Sequence, residues 1–189
     1  MFILNLCYIL SRNYKFKEVV QIKLNELKAI SDNINLDEYI EFRESIKKEM
    51  KHPEWLGDFS KKDLINLINS NSKIFIYYLN KEPVCSIMLI PSDEDAISKF
   101  GLKLDYKEVV DYGPSFVNSK YRGYSLQSQM IKALDDYSRT LGYKYAASTI
   151  HPDNVYSTNN LIKNNFKYVG TKEFKRGIRN IYIKELDRK

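Results

Sequence analysis

The run between residues 108 and 150 most narrows what this chain can fold into. Glu108 to Val117 (EVVDYGPSFV) has the β-branched and aromatic content of a strand. Ser125 to Leu141 sets Leu126, Met130, Ile131, Leu134, Tyr137 and Leu141 on one helical stripe, with Gly142 as a stop. Lys144 to Ile150 (KYAASTI) is a second, short strand. A strand, a long amphipathic helix and another strand in succession require a sheet with a helix laid over one face. Gly113-Pro114 sits inside the first strand, and proline cannot donate to a ladder, so a bulge or a splay is expected there.

The flanking segments extend the sheet. KIFIYYL (Lys73 to Leu79) and VCSIMLI (Val84 to Ile90), joined by Asn80-Lys81-Glu82-Pro83, carry a hairpin signature. Tyr168 to Phe174 and Ile178 to Glu185, with Lys175-Arg176-Gly177 as the turn, read as a closing hairpin behind a helix from Val155 to Asn165. Helical spacing covers Leu36 to Met50, a second helix capped by Ser60 or Asp58 runs to Ile68, and a short one fits Asp93 to Phe100. A further strand is expected at Lys17 to Leu24. The result is a mixed α/β sheet with helices on its faces. At about 150 residues per domain, the 189 residues make one domain, 1–189, with a helix-rich part (1–72) ahead of a core (73–189).

Composition excludes several classes. Cys7 and Cys85 are too few and too far apart for a disulfide scaffold, which favours a reducing, cytoplasmic setting, and Cys85 alternates within an apolar strand as a core residue would. Met1 to Leu10 is apolar but has no basic leader or cleavage site and is too short to span a bilayer, so no membrane association is expected. The net charge of +6 favours an anionic partner somewhere. No block of like charges stands out, which argues against a dedicated nucleic-acid surface. No metal-ligand spacing is present, and a homodimer is left open.

Chemistry concentrates in VNSKYRGYSLQ, residues 117 to 127. A strand passes through a basic, glycine-containing turn into the long helix, where backbone N–H groups lack intrahelical partners and the helix dipole is positive, a setting that suits phosphate. An ordinary strand–helix connection with incidental basic residues would look the same. Arg122-Gly123-Tyr124-Ser125-Leu126-Gln127 resembles the Arg-Gly-x-Gly-x-Gly motif of the GNAT superfamily of N-acetyltransferases, with Ser125 and Gln127 in place of two glycines. Asn154, Ser157 and Lys163-Asn164-Asn165-Phe166 resemble the family's second segment. The resemblance covers roughly the last 120 residues.

That resemblance implies a mostly antiparallel central sheet splayed in the middle, with helices on both faces. It implies acetyl-CoA as cosubstrate, and acetyl transfer to a primary amine by direct attack in a ternary complex. The coenzyme would lie between the strands ending near Val117 and Ile150. Its pyrophosphate would sit on the amides of Arg122, Gly123, Tyr124, Ser125, Leu126 and Gln127, with Lys120 adding charge. Its pantetheine would pair with the backbone of Phe116 and Val117 and be held by Asn154, near Ser157. Many members place a tyrosine acid where this chain has Leu161. Tyr156 is the nearest phenol, Asp111 is a base candidate if burial raises its pKa, and His151 lies at the mouth of the next strand. Each also has a plainly structural role open to it. The segment 52–59 either lines the acceptor site or holds Trp55 as a staple between two helices. The missing tyrosine keeps an alternative in view: a catalytically impaired acyl-CoA-binding sensor or interaction protein.

Overall fold

The computed structural model describes residues 28–30 and 33–186; the strand expected at 17–24 lies outside them. In chain order the elements are β1 (Lys28–Ile30), α1 (Leu36–Glu49), α2 (Lys61–Asn69), β2 (Lys73–Leu79), β3 (Glu82–Pro91), α3 (Glu94–Phe100), β4 (Val109–Val117), α4 (Leu126–Thr140), β5 (Tyr145–Ile150), α5 (Val155–Lys163), β6 (Lys167–Phe174) and β7 (Gly177–Glu185). Among the described residues no helix is long and apolar enough to cross a membrane.

The strands form one sheet in the order β1-β2-β3-β4-β5-β7-β6. Every neighbouring pair is antiparallel except β4 and β5, because α4 crosses over between them and returns the chain in the same direction. Glu82 and Pro83, expected in the first hairpin's turn, belong to β3 instead. Asn80 (φ 49°) and Lys81 (φ 70°) make the turn alone, in the left-handed conformation that a two-residue hairpin needs.

Alternation along the strands divides the side chains between two faces. Ile87, Leu89, Val110, Tyr112, Ala146 and Tyr182 pack against Leu126, Met130, Ile131 and Leu134 of α4 and Leu161 of α5. On the other face Ile74, Ile76, Met88 and Phe116 meet Tyr39, Phe42 and Ile46 of α1 and Leu64 of α2. Val109, Ala147 and Ile181 continue that face beneath Ile97 and Phe100 of α3. Local signals set the helix starts. Asn35 accepts from the amides of Asp37 and Glu38, and Ser60 and Asp63 form a reciprocal capping box. Cys85 is fully buried, and burial pushes its thiol up to about 12, so it is an inert core residue.

Candidate active site

The β4–β5 ladder lasts for three pairs, Val109–Tyr145, Val110–Ala146 and Asp111–Ala147, although both strands continue. At the fork the Ser148 hydroxyl donates to the Tyr112 carbonyl at 2.8 Å, satisfying the first acceptor beyond the ladder. Past it, β4 stays bonded to β3 through Ser115–Ile87, Phe116–Ser86 and Val117–Cys85, while β5 stays bonded to β7. Gly113 and Pro114 together oppose Met88, so the interruption expected there is a bulge against β3, just beyond the point where β4 leaves β5. The edge of β4 facing the gap is therefore open. A cleft of about 850 Å³ occupies the space and is lined by Phe116 and Val117, within the range of small-ligand sites.

One end of the cleft is the start of α4. Gly123 has φ 89°, a conformation that a side chain would strain, and Ser125 at the N-cap has φ 57° and makes no side-chain cap. The first bond into the helix runs from Gln129 N–H to the Ser125 carbonyl, which leaves the amides of Leu126, Gln127 and Ser128 without intrahelical acceptors. The Arg122 amide is committed to the Ser119 carbonyl at 3.2 Å, so Arg122 can contribute its side chain but not the N–H expected of it. Lys120 pairs with Glu82 at 3.1 Å, drawn to the carboxylate at the start of β3, and Tyr124 packs against the core beside α4. Arg122 lines the cleft; Lys120 and Tyr124 do not.

Gln127, the bulkiest departure from the glycine motif, has both ends of its amide bonded. Its Nε2 donates to Ser115 Oγ at 3.0 Å, and its Oε1 accepts from Asn160 Nδ2 at 2.8 Å. The side chain thus ties β4, α4 and α5 together rather than hanging loose in the cleft.

The opposite wall is the start of α5. Asn154 caps it by accepting from the Ser157 amide at 3.1 Å, which leaves its Nδ2 hydrogens for a ligand. Leu161 is 3% exposed in the core and forms part of the wall, an apolar group with no proton to give. Tyr156 stands at the rim, 85% exposed, with its phenol in solvent. Asn165 takes φ 66°, a conformation asparagine tolerates better than most residues, where the motif has glycine.

Asp111 points to the face opposite α4, since Val110 and Tyr112 on either side of it enter the α4 core. It is half-buried on the cleft wall, and burial pushes its carboxyl up to about 7, with the Arg176 charge and the Tyr112 N–H pulling the other way. Three rings lining the same cleft stack: His52 on Trp55 with centroids 4.3 Å apart, and Trp55 on His151 at 5.4 Å. Trp55 thus lines the cleft between two imidazoles and is not a staple between α1 and α2. The Asp153 N–H donates to His151 Nδ1 at 3.3 Å, so the neutral ring carries its proton on Nε2, as a donor. Arg176 and Arg179 complete this half of the cleft and were not anticipated. Arg176 fell in the expected turn, and Arg179 within the expected strand Ile178 to Glu185.

No protein-family model matches the sequence, and no curated protein matches it. Solved structures do. A GNAT-family acetyltransferase from Streptococcus agalactiae is similar with a TM-score of 0.69 at 15% identity, over 88% of this chain and 99% of its own. An N-acetyltransferase from Staphylococcus aureus gives 0.62 at 15%, over 85% and 99%. The aminoglycoside acetyltransferase AAC(6')-Ib, solved with paromomycin and acetyl-CoA, gives 0.64 at 15%, over 84% and 93%. The chain has the GNAT fold.

Proposed function

We propose that the protein is an N-acetyltransferase that moves the acetyl group of acetyl-CoA to a primary amine by direct attack within one cleft. The observation that carries this reading is the gap between β4 and β5, which runs from unpaired amides at the start of α4, beside Arg122, to Asp111. The residues present suit the coenzyme. The free amides of residues 126–128 and the Arg122 guanidinium match a pyrophosphate. The open edge of β4 at Phe116 and Val117 offers main-chain groups to an amide-bearing arm, and Asn154 faces it with free N–H donors. When bound, the coenzyme supplies the acetyl group activated as a thioester.

Asp111 supplies the base. An alkylammonium of pKa about 10.4 is not a nucleophile until it loses a proton, and a carboxylate of pKa about 7 can accept one at neutral pH. The amine nitrogen then bonds to the acyl carbon, the carbon–sulfur bond breaks, and the second proton that the nitrogen sheds on becoming an amide passes through water to the departing thiolate, since Leu161 has none to give.

Replacing Arg122 by Glu sets an anion beside the pyrophosphate and is expected to raise the Kd for coenzyme A by roughly ten- to a hundredfold. The melting temperature should hardly move, because the side chain is exposed. Calorimetry checks this, and unchanged affinity would remove the phosphate assignment. Thiol release from acetyl-CoA with an amine panel tests the reaction itself. Leu161 favours the second reading, a coenzyme-binding protein without turnover; tight binding with no thiol release across the panel would establish that one.

A further inference from the structure

Three cations are buried among the described residues: Arg43, Arg179 and Lys184. Arg43 is held by Glu44 and Asp58, and Lys184 by Asp135. Arg179, 3% exposed, has no carboxylate at ion-pair distance among the described residues. Its guanidinium donates to two carbonyls, Ile178 at 2.8 Å and Glu54 at 3.2 Å. The Glu54 carboxylate, within electrostatic range, is hydrogen-bonded to His52 at 3.2 Å instead.

Burying a full charge is expensive unless an opposite charge meets it, and a guanidinium cannot escape by losing its proton. A second arginine makes the position less favourable still. Arg176, at the tip of the β6–β7 hairpin, lies folded over Gly57, where a Cβ would stand 2.5 Å from its Nη1. Its charge is felt by Arg179 and by Asp111. Both arginines line the cleft on the face where Asp111 lies, away from the helix start that suits phosphate. Lys51 and Glu49 also line the cleft, and the carboxylates of Glu54 and Asp58 lie within electrostatic range of Arg179 and Arg176 respectively.

From this we infer that the acceptor is an amino-carboxylic acid, its carboxylate received by Arg179 and Arg176 and its amine presented to Asp111. The inference rests on the acetyltransferase reading and narrows its acceptor. A guanidinium with donors to spare matches a carboxylate in a planar, two-bond geometry. The His151 Nε2–H adds a further donor nearby. Two arginines at the acceptor end favour a ligand that brings its own carboxylate over a polycation such as an aminoglycoside.

The test uses the full chain saturated with coenzyme A. Calorimetry measures the binding of the protein amino acids, their carboxamides, the corresponding decarboxylated amines and paromomycin; thiol release from acetyl-CoA is followed in parallel. At least one free amino acid should bind roughly tenfold or more tightly than its carboxamide and its decarboxylated amine. Arg179→Gln, and independently the exposed Arg176→Gln, should erase that preference while leaving the coenzyme Kd unchanged. Because Arg179 is buried, its variant is first checked by thermal melting, and Arg176→Gln keeps the test decisive if Arg179→Gln does not fold. Equal binding of acids and amides, a preference for paromomycin, or no amino acid binding to the coenzyme-loaded protein would each overturn the inference. Failure of coenzyme A itself to bind would instead overturn the acetyltransferase reading.

Discussion

Replacing Asp111 by Asn should lower turnover by roughly a hundred- to ten-thousandfold, the range for loss of a general base. The Kd for coenzyme A should change little, because the end of the cleft proposed for the pyrophosphate lies at the start of α4. The wild-type rate should climb with pH through about 7 as the carboxyl ionises, and that limb should vanish in the variant. Stability should move the opposite way. Burial raises this carboxyl from 3.8 to about 7, so the folded protein holds a proton that the unfolded chain has released. Folding stability attributable to Asp111 is therefore lost as pH rises from about 4 to about 7, and stays lost above that. An uncharged Asn carries no such penalty. The variant should melt a few degrees above the wild type at pH 8, with that gap closing below pH 4. Lower activity with higher stability would identify a carboxylate kept for chemistry; an unchanged rate and pH profile would exclude Asp111 as the base.

The largest effect on stability is expected for Lys184→Met. Lys184 of β7 and Asp135 of α4 form an ion pair in which the residues are 8% and 6% exposed, with the ammonium over the Phe166 ring at 5.2 Å. One Asp135 oxygen already lacks a partner. Removing the ammonium would leave a carboxylate buried without compensation, at a cost of about 3–5 kcal/mol, or a fall in melting temperature of about 6–20 °C for a domain of this size. The double variant Lys184→Met/Asp135→Leu should recover most of it, since an apolar pair of similar volume needs no compensation. Chemical denaturation of the single and double variants measures both. A loss below about 1 kcal/mol would show that the pair behaves like a solvated surface bridge. The pair matters to the site because it pins α4, whose first turn forms one end of the cleft, to the strand that carries Arg179.

Helix and strand placement followed the sequence closely. The stripe from Leu126 to Leu134, the Ser60–Asp63 capping box and the two hairpins were read within a few residues of where they lie. The interruption at Gly113-Pro114 marked the bulge in β4. The positions of Arg122, Gly123, Ser125 and Asn154 at the starts of α4 and α5 were legible because helix starts depend on backbone geometry within a few residues of themselves.

Other features depended on groups distant in the chain. Lys120 is turned from the cleft by Glu82, 38 positions away, and Arg179 holds the Glu54 carbonyl, 125 positions away. Trp55 has His52 on one face and His151 on the other. Periodicity, caps and turn residues act over a turn or two of chain, so one sequence could show the elements and their order. Which charges are buried without a partner follows from register and from which loops meet above the sheet. A single chain's residue pattern does not encode those long-range pairings locally, so the cationic half of the cleft became visible only after the chain had folded over it.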